Sequence, residues 1–598
     1  MSQPTMSQPA IPPSQDAPDS STEKPVRCRC RPGCRGCLIV VILLAPLLYW
    51  VGCHTTRLRV SEETTYVLGP MTSDGKRIDY FRAMEERYYP PEMQTDDNGY
   101  RMMVQTFGVQ FENNLPQNQS QEQARLQIYE KLGLDPNIEP TMKPLNQPLH
   151  YLLQHRYVWE EGTGWVNTNI EDAYWGQTFW TFNDFPMLEE WYEENTAGLD
   201  VLAEAVRKPA FFVPYTRNNE NTPIFDTNMT WFATPMMRGW ARSLHGRARY
   251  RLGIGDIDGA IDDILSIHLL ARHAVNAGTI VGSLVGIAFE GIGHSIGLGS
   301  NPEFPPTKEQ IERLVAELDA LPPLLPLNAI LESERLFALS ALQDMYWGNH
   351  PGNEMLVEMT VMPSSPAMSW TIDINVALAR LNQVYDALID PDPVGDKFLE
   401  QVFASSCSSC KPFALVTTHS RTNRFMDLQI GLFIPAMQAW REAYRRNECQ
   451  ANMQRLTLAL LLYKQDHGNL PDGDWRESVL PYLGDDAGRY FQCPASRLAN
   501  NETNYVMISG VPNGIDTPNR ILLIEAMQPQ KLGEGDGSLP FVQAMFGDQS
   551  DPGFAGLGST HAGIASFSLR SGAVRSLART TEPEVLQSLL DGTATAIP

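Results

Sequence analysis

Nine cysteines, one G-x-S-x-G pentapeptide and a few histidines and aspartates set close together are where this chain carries groups able to do chemistry. Gly293-His294-Ser295-Ile296-Gly297 has the spacing of a nucleophile elbow, which lifts a serine hydroxyl onto a sharp turn for acyl transfer. His350, His419, His467 or His561 follows it in the chain order that an α/β-hydrolase requires of its base. Cys407-Ser408-Ser409-Cys410 is a C-x-x-C pair, suited to thiol–disulfide exchange or to a local structural disulfide. His268 and His273, and Glu290 and His294 four residues apart, offer metal ligands on a helix face, but neither pattern supplies a third ligand. Asp536, Asp548 and Asp551 in a glycine-rich stretch offer oxygens to Ca²⁺ without the spacing of an EF-hand. Cys28, Cys30, Cys34 and Cys37 place four thiols within ten residues. Structural zinc sites usually pair two knuckles across a longer loop, so a juxtamembrane thiol cluster open to acylation fits better, with arginine neighbours favouring the thiolate.

Each of these chemistries depends on the element that holds its residues. The elbow needs a strand, a turn and a helix in a parallel sheet, whereas residues 280–292 continue a helical pattern with no alternating β and α segments around it. A thioredoxin-like pair needs a strand before its helix, and residues 397–404 are too short and mixed to supply one. No catalytic set, cofactor site or metal site therefore stands out. The reading is of a non-enzymatic protein, with an exported hydrolase using Ser295 or a thiol–disulfide protein using Cys407 and Cys410 as the alternative.

Residues 38–53 form the one apolar run of membrane length, 16 residues or about 24 Å of helix. Tyr49 and Trp50 supply an interfacial aromatic pair, and Gly36, Cys37 and Gly52 are cheap to bury at the edges. Lys24, Arg27, Arg29, Arg31 and Arg35 precede the run, which places the N-terminus in the cytoplasm and all that follows Cys53 outside the cytoplasmic (inner) membrane. The rival is a cleaved signal peptide, whose n-region would be unusually long here. Val51-Gly52-Cys53 also resembles a lipoprotein box, which makes a lipid anchor on Cys53 the alternative attachment. The net charge of −24 divides into +4 over residues 1–60 and −28 over the remainder, so the exported part repels nucleic acid and anionic lipid. With 43% hydrophobic and 19% charged residues, that part is long enough for two or more cored domains.

Residues 1–26 are rich in Pro, Ser, Gln and Thr and lack aromatics, as a disordered tail does. Between residues 159 and 215 aromatics concentrate, Trp180, Trp191 and Phe185 among them, interleaved with a helical pattern that marks them as core anchors rather than a ligand platform. Residues 236–298 read as an amphipathic helix pair broken at Gly253-Ile254-Gly255-Asp256, similar to the helix–turn–helix unit of tetratricopeptide-type repeats, with no second copy at a fixed period. Thr307 and Gln310 make a capping box for the next helix, and Leu378, Leu381, Tyr385 and Leu388 mark another. Ile430, Phe433, Met437, Trp440, Tyr444, Met453, Leu456, Leu460 and Tyr463 then trace one long helix, ended by His467-Gly468 and Pro471. Short apolar runs at 505–508, 521–524 and 565–569 are strands, and Arg570-Ser571-Gly572 turns the last into 573–577 as a hairpin.

Over residues 428–577 the sequence resembles the planctomycete-type prepilin-like family with a C-terminal His-x9-Asp-Gly signature. The residues that carry the resemblance are Pro435-Ala436, Gln438-Ala439, Arg441-Glu442-Ala443, Arg445-Arg446, Cys449, Asn452, Leu458-Ala459-Leu460, Tyr463, His467-Gly468 and Pro471, with His561 and Gly572 at the signature spacing. The resemblance implies a pseudopilin-like fold, a long helix packed on a small antiparallel sheet. The family begins with a cleavable leader and a membrane helix, whereas Arg424-Phe425-Met426-Asp427 precedes a short apolar run interrupted by Gln429 and Pro435. Ser571 stands where the signature has Asp. The upstream region is similar to uncharacterised proteins of the same bacterial group.

The expected fold is α+β: a disordered cytoplasmic tail over residues 1–27, a Cys/Arg segment over 28–37, a transmembrane helix over 38–53, a mainly helical exported domain over 54–425 and a pseudopilin-like module over 426–598. Cys449 in mid-helix and Cys493 before Pro494 are expected to pair as a disulfide in an oxidising compartment, closing a loop of about 45 residues and stabilising the fold by roughly 3–4 kcal/mol. Phe433, Met437 and Trp440 are expected to dock the long helix on the helical domain. The partners expected are the membrane and envelope proteins, with no nucleic acid and no identifiable small-molecule ligand.

Overall fold

The computed structural model describes residues 57–89, 95–109, 121–160, 164–227, 233–276, 278–347, 372–390, 397–402, 417–471, 475–485, 487–494, 502–507, 517–531 and 564–578, with residues 585, 588, 589 and 593. The expected anchor at 38–53, the thiol cluster at Cys28 to Cys37, Cys53, Cys407, Cys410, the three aspartates between 536 and 551, and His561 lie outside the described residues. Among the described residues no helix is long and apolar enough to cross a membrane.

The first helices are short: α1 (Tyr80–Tyr88), α2 (Gly99–Phe107), α3 (Gln121–Lys131) and α4 (Pro148–Gln154). Asp79 caps α1 and Asn98 caps α2, each accepting a backbone N–H of the first turn as short polar side chains do at that position. A two-stranded antiparallel hairpin, β1 (Tyr157–Glu160) and β2 (Gly164–Asn167), sets Trp159 opposite Trp165. Then come α5 (Ile170–Gly176), α6 (Leu188–Val206), α7 (Ala233–Ile254), α8 (Ile257–Val275), α9 (Ile280–His294), α10 (Lys308–Asp319), α11 (Leu327–Trp347) and α12 (Ile374–Ile389). The break between α7 and α8 falls where the glycines predict it, with Gly255 at φ +83° and Asp256 capping α8 through Gly259 N–H at 3.0 Å. The Thr307–Gln310 capping box opens α10.

The long helix is α13 (Thr418–His467), 50 residues or about 75 Å. It starts twelve residues before the periodicity suggested and continues through Pro435. Gly468 in the left-handed region ends it, as the sequence indicates. After α14 (Trp475–Val479), the strands β3 (Glu502–Met507), β4 (Ile521–Lys531), β5 (Ile564–Leu569) and β6 (Val574–Ala578) form one antiparallel sheet in the order β3-β4-β5-β6. The register sets Val506 against Ile524, Ile524 against Phe567 and Phe567 against Arg575. Gly572, at φ +95°, makes the β5–β6 turn, a backbone angle at which a Cβ would clash with its own chain.

The described chain is thus α+β, mostly helical with a small antiparallel sheet, and Thr55–Pro598 forms one compact unit. Three apolar cores hold it together, and α13 contributes to all of them. Trp180, Trp191 and the facing surfaces of α6, α7, α8 and α9 build the first, which Leu458 and Leu462 of α13 enter. The second joins α1, α11 and α12 to Met426, Ile430, Ile434, Met437, Trp440 and Tyr444 of α13. The third packs Cys449, Met453, Leu456 and Leu460 of α13 under β3 and β4. The boundary expected at 425/426 falls inside α13, which ties the helical part and the sheet part together. One expectation for its docking face is corrected: Trp440 is 1% exposed and Met437 is buried, but Phe433 is 57% exposed. Ile430, Ile434 and Met437 are buried there, and Phe433 is not, although its helical angle falls between those of Met437 and Trp440.

Candidate functional site

Ser295 closes α9 as its C-terminal cap, so a helix leads into it and not a strand. Its hydroxyl donates to the Ile292 carbonyl at 2.7 Å, and His245 Nε2 stands 3.4 Å away. Burial, together with the nearby Arg249 and Arg575 charges, holds the His245 imidazole well below its ordinary range, which makes it a poor proton acceptor. His350 and His561 lie outside the described residues, His419 neighbours Asn423, and His467 stacks on Tyr463 at the far end of α13. None of the described histidines the sequence offered as a base is seen at Ser295, and the elbow reading is corrected on this geometry.

Packing accounts for the two glycines of the pentapeptide. A Cβ on Gly293 would sit 2.7 Å from the His268 ring, and one on Gly297 would sit 2.6–2.7 Å from the Ser571 hydroxyl, the Ser571 carbonyl and the Ala573 nitrogen. The segment after α9 therefore lies directly against the β5–β6 turn, and Gly299 N–H donates to the Ser571 carbonyl at 2.8 Å. Gly297→Ala is expected to lower unfolding stability by about 1–3 kcal/mol, because backbone on both sides must move to admit the methyl group. Urea unfolding of the two proteins measures this, and equal stability would show that the contact is slack.

The histidine and glutamate candidates do come together, with one exception. His268 Nδ1 lies 2.9 Å from Glu290 Oε2, His294 Nε2 lies 3.7 Å from that oxygen, and Arg272 ion-pairs with the other carboxylate oxygen. His294 Nδ1 meets Gln454 Oε1 of α13 at 2.9 Å. His273 is elsewhere, its Nε2 against the Val206 carbonyl and its ring stacked on Phe211. Among the described residues this group does not bring three ligand atoms together closely enough for a metal ion, and it reads as a buried polar joint between α8, α9 and α13.

A second buried cluster is the one arrangement among the described residues with metal-ligand geometry. Cys449 Sγ, Cys493 Sγ and a Glu525 carboxylate oxygen all lie within 4.8 Å of one another. Cys449 comes from the middle of α13, Cys493 follows the turn at Ala487–Phe491, and Glu525 comes from β4. The sequence singled out the two cysteines as a disulfide, and the structure brings them together but carries both as thiols. Cys449 Sγ donates to Glu525 Oε1 at 3.4 Å and lies 3.0 Å from the Tyr505 hydroxyl of β3. Ser566 N–H donates to the other Glu525 oxygen at 3.3 Å. Burial pushes the Cys449 thiol well above its ordinary range, reinforced by the Cys493 hydrogen bond and the Glu525 charge. Burial raises Tyr505 as well. Sequence reasoning missed Glu525 and Tyr505. The available signal was a glutamate interrupting the apolar strand Ile521-Leu522-Leu523-Ile524, an expensive residue to bury unless it has a task.

These elements define an α+β protein in which a long helix covers a four-stranded antiparallel sheet. A family model described as a protein of unknown function (DUF1559) matches residues 438–485, from the middle of α13 past α14, ending before the turn at Ala487–Phe491. Over that stretch the chain matches the planctomycete-type prepilin-like family that the sequence resembles. No curated protein and no solved structure matches the chain. Gly572, outside the matched stretch, is the turn glycine described above. Ser571 donates its N–H to the Pro518 carbonyl at 3.0 Å and has a wholly buried side chain.

Proposed function

We propose that this chain is a non-enzymatic envelope protein, anchored in the cytoplasmic membrane through residues 38–53 or by a lipid on Cys53, with residues 54–598 outside. A pseudopilin-like module serves in it as a fixed part of a larger scaffold that binds other envelope proteins. The observation that carries the reading is the sharing of α13 among three cores. In prepilin-like proteins the N-terminal part of the long helix is the polymerising element. Here Met426, Ile430, Ile434, Met437 and Trp440 of that part are buried against the chain's own helices, and Asp427 is paired with Arg380 at 2.8 Å. An apolar stem already occupied within the chain is not open to a second copy, and exposing Asp427 to lipid would cost several kcal/mol.

The test uses the full chain in a bacterial host. A reporter active only outside the cytoplasm, fused after Pro598, is expected to be active in the membrane fraction, and the purified protein is expected to show no filaments by electron microscopy. An inactive reporter, pilus-like filaments, or a hydrolase activity abolished by Ser295→Ala would each overturn the reading.

A further inference from the structure

We propose that Cys449, Cys493 and Glu525 form a binding site for one thiophilic divalent cation, zinc in the first instance, with the Tyr505 hydroxyl closing the fourth position. The inference is independent of the envelope reading, since it concerns the interior of the sheet module.

The geometry comes first. A tetrahedral zinc site with Zn–S of about 2.3 Å and Zn–O of about 2.0 Å has ligand–ligand edges of roughly 3.8 Å between sulfurs and roughly 3.5 Å between sulfur and oxygen. The Cys449 Sγ to Glu525 Oε1 distance is 3.4 Å, and all three ligand atoms fall within 4.8 Å of one another, so small side-chain rotations bring them onto one ion. Tyr505 stands 3.0 Å from the same sulfur, on the strand next to Glu525. A disulfide would place the sulfurs about 2.05 Å apart and would leave Glu525 without a role in the bond.

The environment is the second argument. Cys449, Cys493, Tyr505 and Glu525 are all at most 1% exposed, and the first three belong to the core under β3 and β4. Burying a carboxylate between two thiols is costly, and a doubly charged cation turns that cost into coordination energy. Binding would release the two thiol protons to solvent, leaving two thiolates and one carboxylate around the ion. The Ser566 N–H on the far carboxylate oxygen fixes the orientation of Glu525, as the outer partners of metal-ligating carboxylates do. The ligands also come from three different elements, so the ion would tie α13 to the segment before β3 and to β4.

The experiment uses full-length protein carrying Cys28→Ser, Cys30→Ser, Cys34→Ser and Cys37→Ser, which removes the N-terminal thiols as competitors. Zinc is measured by mass spectrometry of the purified chain and by chromogenic chelator release on titration of thiols. About one zinc per chain is expected, lost in Cys493→Ser and bound at least tenfold more weakly in Glu525→Gln. Should either variant fail to fold, the reduced, metal-free parent is titrated with Co²⁺ alone. One equivalent is then expected to give an intense thiolate-to-cobalt charge-transfer band. A metal-free chain whose Cys449 and Cys493 resist alkylation even when unfolded in denaturant, as a disulfide would, overturns the proposal. So does a reduced chain that gives no charge-transfer band with Co²⁺, or zinc that survives Cys493→Ser unchanged.

Discussion

Lowering the pH from about 7 to about 5 is expected to cost this protein roughly 2 kcal/mol of unfolding free energy through its buried imidazoles. His268 is the main cause. Burial, helped by the neighbouring Arg272 charge, lowers its folded pKa to about 3, while the unfolded chain keeps the ordinary value of 6.5. The unfolded state therefore binds a proton that the folded state refuses. The stability tied to that difference is complete above pH 6.5 and is lost as pH falls from there toward the folded value. Each unit of difference is worth about 1.4 kcal/mol, so a pH one and a half units below the unfolded pKa costs about 2 kcal/mol at this residue alone. His294 and His245, also held well below their ordinary range by burial, and His273, lowered by the same cause, act in the same direction. Glu290 faces His268 and would welcome its charge, but Arg272 already holds that carboxylate, so protonation would put a third charge into a joint that is closed by α8, α9 and Gln454 of α13. Urea unfolding followed by circular dichroism at the two pH values measures the loss. His268→Gln, which keeps a donor toward Glu290, should flatten the dependence. A stability that does not change over this interval would show that the imidazoles are reached by water.

Much of the fold was legible because its signals are local. Gly255, Asp256, Thr307, Gln310, Gly468 and Gly572 each do what their residue types do best at a helix or strand end, and each boundary falls where they place it. What was hidden depends on partners far away in the chain. Nothing in the helical pattern of residues 236–298 marks Arg247 and Arg249 as interior, yet both are buried, Arg247 against Asp263 at 2.7 Å and Arg249 against the Tyr174 carbonyl at 2.6 Å. The β1–β2 hairpin was lost among aromatics that belong mostly to a helical core. The same limit explains the site. Two cysteines in a chain expected to be exported suggest a disulfide, and only the sheet register brings Glu525 and Tyr505 beside them. Ser295 failed in the opposite way, since glycines needed for close packing reproduced the spacing of a catalytic turn.

Replacing Trp440 by alanine is expected to destabilise the protein by about 3–5 kcal/mol, whereas Phe433→Ala should cost less than about 1 kcal/mol. The two residues sit seven apart on α13, and sequence periodicity treats them as equivalent positions of one face. Their surroundings differ. Trp440 is 1% exposed, lies in the core formed with α11 and α12, and donates its indole N–H to the Ser283 hydroxyl of α9 at 3.1 Å. Alanine there leaves a large cavity at the point where three helices meet and a buried hydroxyl that has lost a donor. Phe433 keeps more than half of its surface in water, so its removal forfeits little burial. A helix of 3.6 residues per turn falls about 20° short of returning to the same face after seven residues, and Pro435 lies between these two. An offset of about 20° is too small to expose Phe433 by itself, and at that level of the helix Ile434, 6% exposed, takes the buried place instead. Thermal and urea unfolding of both variants give the comparison. Equal costs would mean that α13 docks through the face its periodicity suggests, and that Phe433 is covered in solution by something other than this chain's described residues.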